Sequence, residues 1–296
     1  MSKCFVPFFA IVCLTLSVAR AQDMPLSQVL LDDESWELVA EGYEFTEGPA
    51  VNAKGEVYFT DVRASKIHKI DLAGKVTLFA ENTARTNGLM FGTDGKLYGC
   101  RNGDRQIVAY STDGKFEVVA EDVNSNDIVV GSDGSIYFTD PSNEQVWYVS
   151  PDRKTKTVVV KGFRPNGVIL TADEGTLVVT DSNNALLWTF RVEKNGQLKF
   201  KERYYGPLRL LPGRETPGSD GMTVDKAGRL YVATYAGVQM FDPTGRMGGV
   251  IAKPQNKFLS NIVFAGEKFD VLYATCTDKV YRRKTKTIGA PFLLKK

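Results

Sequence analysis

Residues 163–181 read FRPNGVILTADEGTLVVTD. A polar residue, Asn166, heads a short apolar run; an Asp-Glu-Gly turn follows, then a second β-rich run ending in Thr180-Asp181. The pattern is that of a hairpin: β-branched and aromatic runs joined by a tight polar turn. The same grammar occurs five more times. It runs from Thr46-Glu47-Gly48 to Thr60-Asp61, from Thr86-Asn87-Gly88 to Gly99-Cys100, and from Ser125-Asn126-Asp127 to Thr139-Asp140. It returns from Ser219-Asp220-Gly221 to Val232-Ala233 and from Ser260-Asn261-Ile262 to Ala274-Thr275. The heads Glu47, Asn87, Asn126, Asn166, Asp220 and Asn261 are spaced by 40, 39, 40, 54 and 41 residues, and each is an amide or a carboxylate.

Two further apolar runs follow most hairpins, as in Ile107 to Tyr110 and Phe116 to Val119. Helical periodicity is absent. Four short strands repeating every 40 or so residues predict a β-propeller blade, and six units predict six blades. The expected fold is therefore all-β: a six-bladed β-propeller of four-stranded antiparallel blades. The long fourth step marks an insertion within residues 191–214, read as a longer strand pair and a rim loop. A leftover strand at residues 34–40 would complete the last blade, closing the ring and covering its edge.

The ends of the chain carry other signals. Lys3 is followed by a mostly apolar run to Val18 and by Ala19-Arg20-Ala21, the small-x-small form of a signal-peptidase site. Residues 1–21 are read as a removed secretory signal, and residues 22–296 as one propeller domain, exported to a periplasm or secreted. The apolar run is short for a membrane span. Removing the signal takes away Lys3 and Arg20 and no acid, leaving a mature chain of net charge near zero. Such a balance offers no handle for nucleic acid or an anionic membrane. The hydrophobic share of 43% and charged share of 24% fit a soluble globular domain. The basic cluster Arg282, Arg283, Lys284 and Lys286 reads as a solvated outer strand or tail. Cys100 and Cys276 occupy non-equivalent positions in their repeats and are expected to be two buried thiols rather than a bridge. The oligomeric state is left open.

In a propeller the first strand of each blade lines the central channel, so the six heads should converge at one mouth. The residues ending the second strands (Asp61, Arg101, Asp140, Asp181, Thr234 and Cys276) should lie beside them. Glu47 and Asp220 offer carboxylates, and Asn126 and Asn166 offer carbonyl oxygens. Oxygen donors without His or Cys suit a hard cation such as Ca²⁺ or Mg²⁺. Taken singly, Asn-Gly and Asp-Gly are ordinary turn formers; six at one equivalent position, with a separate turn further on, argue for a shared task.

Thr46-Glu47-Gly48-Pro49, Asn126-Asp127, Arg164-Pro165-Asn166-Gly167 and Asp220-Gly221-Met222, with the YFTDP at 137–141 and the GVQMFDPTG at 237–245, resemble the SMP-30/gluconolactonase family across nearly the whole mature chain. The resemblance implies a six-bladed propeller with one divalent metal in its channel, acting as a lactonase or a related phosphotriesterase. It implies Glu47, Asn126, Asn166 and Asp220 as ligands, with Ca²⁺ first and Mg²⁺, Mn²⁺ or Zn²⁺ open. It places Asp127 and Asn261 behind the ligands and turns Asn87 and Arg101 toward a small-molecule lactone or sugar-acid substrate. The segment before Asn126, Glu121 to Ser125, is shorter than in many gluconolactonases.

The expected chemistry is metal-assisted hydrolysis of a lactone. The cation would polarise the carbonyl and lower the pKa of a water, with Asp220 as ligand and base. Arg63 and Arg85 are further candidates for the substrate, read more simply as surface residues. The one histidine, His68, lies in a predicted middle strand, away from the channel. That removes a Ser-His-Asp triad at the mouth, and no phosphate-binding glycine loop of the P-loop type is present. The competing reading is a non-catalytic propeller with a structural cation and a ligand-binding rim.

Overall fold

The chain builds six four-stranded antiparallel sheets arranged as blades around a channel, in a computed structural model that describes residues 24–295. The expected signal at residues 1–21 lies outside the described residues. Blade 1 runs outward from Thr46–Val51 through Val57–Asp61 and Lys66–Ile70 to Val76–Glu81. Blades 2 to 5 begin on the innermost strands Thr86–Phe91, Ile128–Val130, Pro165–Leu170 and Met222–Val224 and repeat the order. Blade 6 supplies Asn261–Ala265, Val271–Cys276 and Lys279–Lys284, and its outermost strand is Glu37–Glu41 from the other end of the chain.

Closure by this N-terminal strand matches the expectation, with the strand shifted a few residues along. Glu37 pairs with Arg282 and Glu41 with Lys279 in the ladder. Their side chains also meet, Arg282 Nη2 at 2.8 Å from Glu37 Oε1 and Lys279 Nζ at 2.6 Å from Glu41 Oε2. The basic cluster of residues 282–286 therefore begins on the third strand of blade 6, not the outer one, and part of its charge is neutralised by the closing strand.

Each second strand is packed on both faces by neighbouring blades. Val57–Asp61, Ile136–Asp140 and Leu230–Thr234 are buried along their whole length, which is why they read as unbroken apolar and aromatic runs. The core is accordingly distributed between blades. Tyr58, Leu89, Phe91, Leu97 and Tyr110 fill the gap between blades 1 and 2, and Ile107, Val123, Ile128 and Phe138 the gap between blades 2 and 3. The first hairpin of blade 1 turns at Asn52 to Gly55, where Gly55 donates to the Asn52 carbonyl at 3.0 Å and Asn52 Oδ1 accepts from Lys54 N and Glu56 N. Cys100 and Cys276 are buried and unbridged, as expected.

The expected longer strand pair is not found: Leu187–Val192 and Leu198–Glu202 are the ordinary third and fourth strands of blade 4, and the extra residues form a rim loop between Glu202 and Asp220. That loop docks on blade 5: Arg209 N donates to Gln239 Oε1 at 2.7 Å, and Gln239 Nε2 returns a bond to Arg209 O at 2.9 Å. The far end of the channel is covered by the C-terminal segment, which no repeat predicted. Ala290 N donates to Val224 O at 3.1 Å, Phe292 is buried, and Lys295 pairs with Glu174 at 2.8 Å. Between this cover and the heads lies an apolar chamber of about 70 Å³, walled by Met90, Ile128, Val168, Met222 and Ile262. Among the described residues no helix is long and apolar enough to cross a membrane.

Candidate metal centre and active site

The six heads meet at the channel mouth. Innermost strands in blades 1, 2 and 4 carry register shifts at their first residues, between Glu47 and Ala50, Thr86 and Leu89, and Pro165 and Val168. Such bulges re-aim side chains locally, and here they fall at the heads. Close approach of one blade to the next is set by the residue after the head. A Cβ on Gly167 would lie 2.0 Å from the Asp220 carbonyl oxygen, and one on Gly221 would lie 1.8 Å from the Asn261 side chain. Glycine stands there because the next head occupies the space a side chain would need.

The threonine of the Thr-Asp ending is a clasp between blades. Thr60 Oγ1 donates to the Asn87 carbonyl at 3.1 Å and Thr139 Oγ1 to the Asn166 carbonyl at 2.6 Å, each fixing the head of the next blade. The aspartate braces its own loop instead. Asp61 accepts from Glu44 N and Phe45 N, Asp140 from Asn143 N and its side-chain amide, and Asp181 from Asn183 N and Trp188 Nε1. These carboxylates were expected beside the heads; their lone pairs are committed to loop geometry.

The head side chains form a hydrogen-bonded circuit. Asn87 Nδ2 donates to Asn126 Oδ1 at 2.8 Å, and Asn126 Nδ2 to Asn166 Oδ1 at 2.6 Å. Asn166 Nδ2 reaches the Ser219 carbonyl at 3.4 Å, and Asn166 acts on the Asp220 carboxyl, lowering its proton affinity. The carboxyl groups of Asp220 and Glu47 share a hydrogen bond, and Asn261 Nδ2 donates to Glu47 Oε2 at 3.2 Å. Far-apart segments thus bring Glu47, Asn126, Asn166 and Asp220 to one place. Asp127 stands behind them with its Oδ1 accepting from Ile128 N at 2.9 Å, and Asn261 turns its Oδ1 to Ile262 N at 2.8 Å.

Three acids in this small space lack a basic partner. Glu47, Asp127 and Asp220 are 5%, 8% and 7% exposed, and no lysine or arginine acts on any of them. Burial pushes the Glu47 carboxyl up to about 7 and, with the Glu47 charge adding, the Asp127 carboxyl up to about 8. Burial, followed by repulsion from Glu47 and Asp127, raises Asp220 well above the carboxylate range. Asn87 Oδ1 is buried without a hydrogen-bond partner.

A divalent cation fits this donor set. It would supply the missing positive charge, and every inward donor is an oxygen. Among the described residues no group of three or more His, Cys, Asp or Glu side chains is placed to hold a metal by itself. A cation at the circuit therefore needs the amide oxygens of Asn126 and Asn166 as well as the two carboxylates.

Arg101 is placed differently from its expected role. Its Nε meets Asp104 Oδ2 at 2.8 Å and its guanidinium lies 4.4 Å from the centroid of Phe116, the first residue of the outermost strand of blade 2. It runs outward along the blade, away from the acids. His68 sits in the third strand of blade 1 with Tyr43 and Phe59 at ring distances of 5.0 and 5.3 Å, its pKa lowered by burial. Histidine chemistry at the mouth is thereby excluded.

Comparison with known proteins agrees with this architecture. The model of the SMP-30/Gluconolactonase/LRE-like region matches residues 45–278. The chain is 28% identical to a gluconolactonase of Zymomonas mobilis over 86% of its own length and 82% of the relative's. It is 30% identical to the lactonase drp35 of Staphylococcus haemolyticus over 75% of its length and 73% of the relative's. Among solved structures, the gluconolactonase XC5397 of Xanthomonas campestris superposes with a TM-score of 0.77 at 24% identity, covering 86% of this chain and 91% of that one. The propeller, its order of motifs and the extent of the match agree: the chain belongs to the SMP-30/gluconolactonase/LRE-like family.

Proposed function

We propose that this protein is a hydrolase that opens a lactone at the channel mouth, using one divalent cation held by Glu47, Asn126, Asn166 and Asp220, with Ca²⁺ the preferred ion. The observation that carries the proposal is the convergence of the six heads, Glu47 and Asp220 among them, with Asp127 behind, so that three buried acids meet with no basic side chain to neutralise them. The names of the relatives, gluconolactonase and lactonase, support the same reaction class.

A cation bound there supplies Lewis acidity, offsetting the negative charge that builds on a carbonyl oxygen under attack. The chain's own groups account for the proton. Asp220, hydrogen-bonded to Glu47 and repelled by it, has a raised proton affinity and takes a proton from the attacking water. The water oxygen bonds to the lactone carbonyl carbon, the ring C–O bond breaks, and the proton passes to the departing oxygen, giving the hydroxy acid. Asn87 Oδ1, unpartnered and buried, accepts a hydrogen bond from a substrate hydroxyl. The chamber below the heads is lined mainly by apolar side chains, with Phe292 in its wall, and substrate is taken to enter from the mouth. The reading also takes the mature protein as exported, on the strength of residues 1–21.

The test is hydrolysis of a panel of aldonolactones by purified protein, with and without EDTA, together with the metal content of the sample. Asp220→Asn should lower turnover by about 10²–10⁴-fold while the fold survives. A non-catalytic propeller would open no lactone when loaded with metal, and Asp220→Asn would instead cost it stability.

A further inference from the structure

Two of the six blades carry an arginine two residues before the head, and in two more an arginine lies over the aromatic ring that occupies that position. In blades 2 and 4 the residue there is itself arginine, Arg85 and Arg164, both exposed. Blade 1 has Phe45 at that position, and the Arg63 guanidinium lies 5.5 Å from its ring centroid. Blade 5 has Gly218, whose side-chain space is filled by Tyr235: a Cβ there would come within 2.4 Å of the ring. The guanidinium of Arg214 lies 4.5 Å from that same ring. Only blades 3 and 6, with Asn124 and Leu259, break the belt.

None of the four pairs with a carboxylate among the described residues. The ion pairs of this face join other groups, Arg101 with Asp104 and Lys257 with Asp278, while Asp61, Asp140 and Asp181 brace loops. The remaining acids of the face, Glu44, Asp122, Glu144 and Glu215, are exposed. Stacking on an aromatic face orients a guanidinium and leaves its fork free for a ligand. A fork of this kind matches carboxylate or phosphate through two parallel hydrogen bonds.

We infer that the substrate carries an oxyanion, a carboxylate or a phosphate, on the part of the molecule remote from the lactone carbonyl, and that Arg63, Arg85, Arg164 and Arg214 select it. The inference rests on the lactonase reading above and extends it to a substrate class: an anionic sugar lactone rather than a neutral one. The circuit of heads receives the carbonyl end, and the belt one tier outward receives the charge.

The experiment compares kcat/KM of the metal-loaded full chain on glucono-lactone, its 6-phosphate, and a glucaric acid monolactone. The expected result is a preference for at least one anionic lactone of about 10-fold or more, carried by KM and shrinking as salt is raised. Arg164→Gln and the double variant Arg164→Gln with Arg214→Gln should each lower the anionic-to-neutral ratio by about 10-fold. The phosphate and carboxylate arms decide which oxyanion the belt takes. A neutral lactone turned over as well as both anionic ones, or a ratio untouched by the variants, overturns the inference while leaving the lactonase reading intact. If no lactone is opened, the lactonase reading falls, and the belt is judged by calorimetry with glucuronate, glucose 6-phosphate and glucose. Anion binding lost in the double variant then supports the belt; absent binding, or binding indifferent to charge, overturns it.

Discussion

The buried acids of the mouth make a quantitative prediction about stability. Chelated protein should become less stable as pH rises from about 5 to 8. Glu47 has its carboxyl raised from 4.5 to about 7 in the fold. A raised folded pKa contributes stability that is fully present below the unfolded value, near 4.5, and is lost as pH rises through the folded value. The shift corresponds to about 3 kcal/mol from Glu47 alone. Asp127, raised to about 8, extends the window upward, and because Glu47 acts on it the two contributions do not add. For a chain of this size the loss translates to a fall in Tm on the order of 10 °C. His68, lowered by burial, pulls the other way, its contribution being lost as pH falls below its ordinary value. The assay is calorimetric melting in EDTA at several pH values, repeated with excess Ca²⁺ and with Glu47→Gln. Calcium should flatten the profile by holding the acids ionised against a cation, and Glu47→Gln should reduce the slope without metal. A metal-free profile that rises across this range in wild type and Glu47→Gln alike would refute the reasoning.

Further outcomes follow from the same geometry. Asp220→Asn should reduce lactone kcat by about 10²–10⁴-fold with an unchanged far-ultraviolet dichroism spectrum. Gly167→Ala, whose new methyl would meet the Asp220 carbonyl at 2.0 Å, should cost about 3 kcal/mol in denaturant melts and weaken metal affinity with it. Phe292→Ala, removing the buried ring that closes the far end of the channel, should cost about 3–5 kcal/mol of stability in the same melts. Intact-mass measurement of protein expressed with its own leader should show a mature chain beginning at Gln22; a chain retaining residues 1–21 would contradict the export reading.

Much of the fold was legible because a propeller writes its period into the chain. The heads recur at steps near 40 because each blade is one unit of fixed length, and the second strands read as unbroken apolar runs because blades bury both of their faces. The closing strand was readable as the one β-rich segment without a unit of its own. The site was legible at the level of strands and not of side chains. That Glu47, Asn126, Asn166 and Asp220 share a mouth follows from equivalent positions; that they join in one circuit depends on bulges and glycines whose effect is visible only with the neighbouring blade in place. Arg101 shows the boundary. Its strand end was placed correctly, but the pull of Asp104 and the face of Phe116 turned its guanidinium outward. The aspartates of the Thr-Asp endings lie beside the heads as expected, Asp61 opposite Thr46 and Asp181 opposite Pro165, but a sequence does not say which nearby amides a carboxylate will cap. The arginine belt is split between residues two before the head and residues from other loops stacked on aromatics, so no repeat aligns it. The C-terminal cover has no periodicity to betray it.

The most direct test of the central claim is a metal titration of lactone hydrolysis on chelated protein. A single divalent cation per chain should restore the activity that EDTA removes, with Glu47→Gln and Asp220→Asn each unable to recover at the same concentration. Lactone hydrolysis that persists undiminished in EDTA, or that returns equally in those variants, would contradict the account.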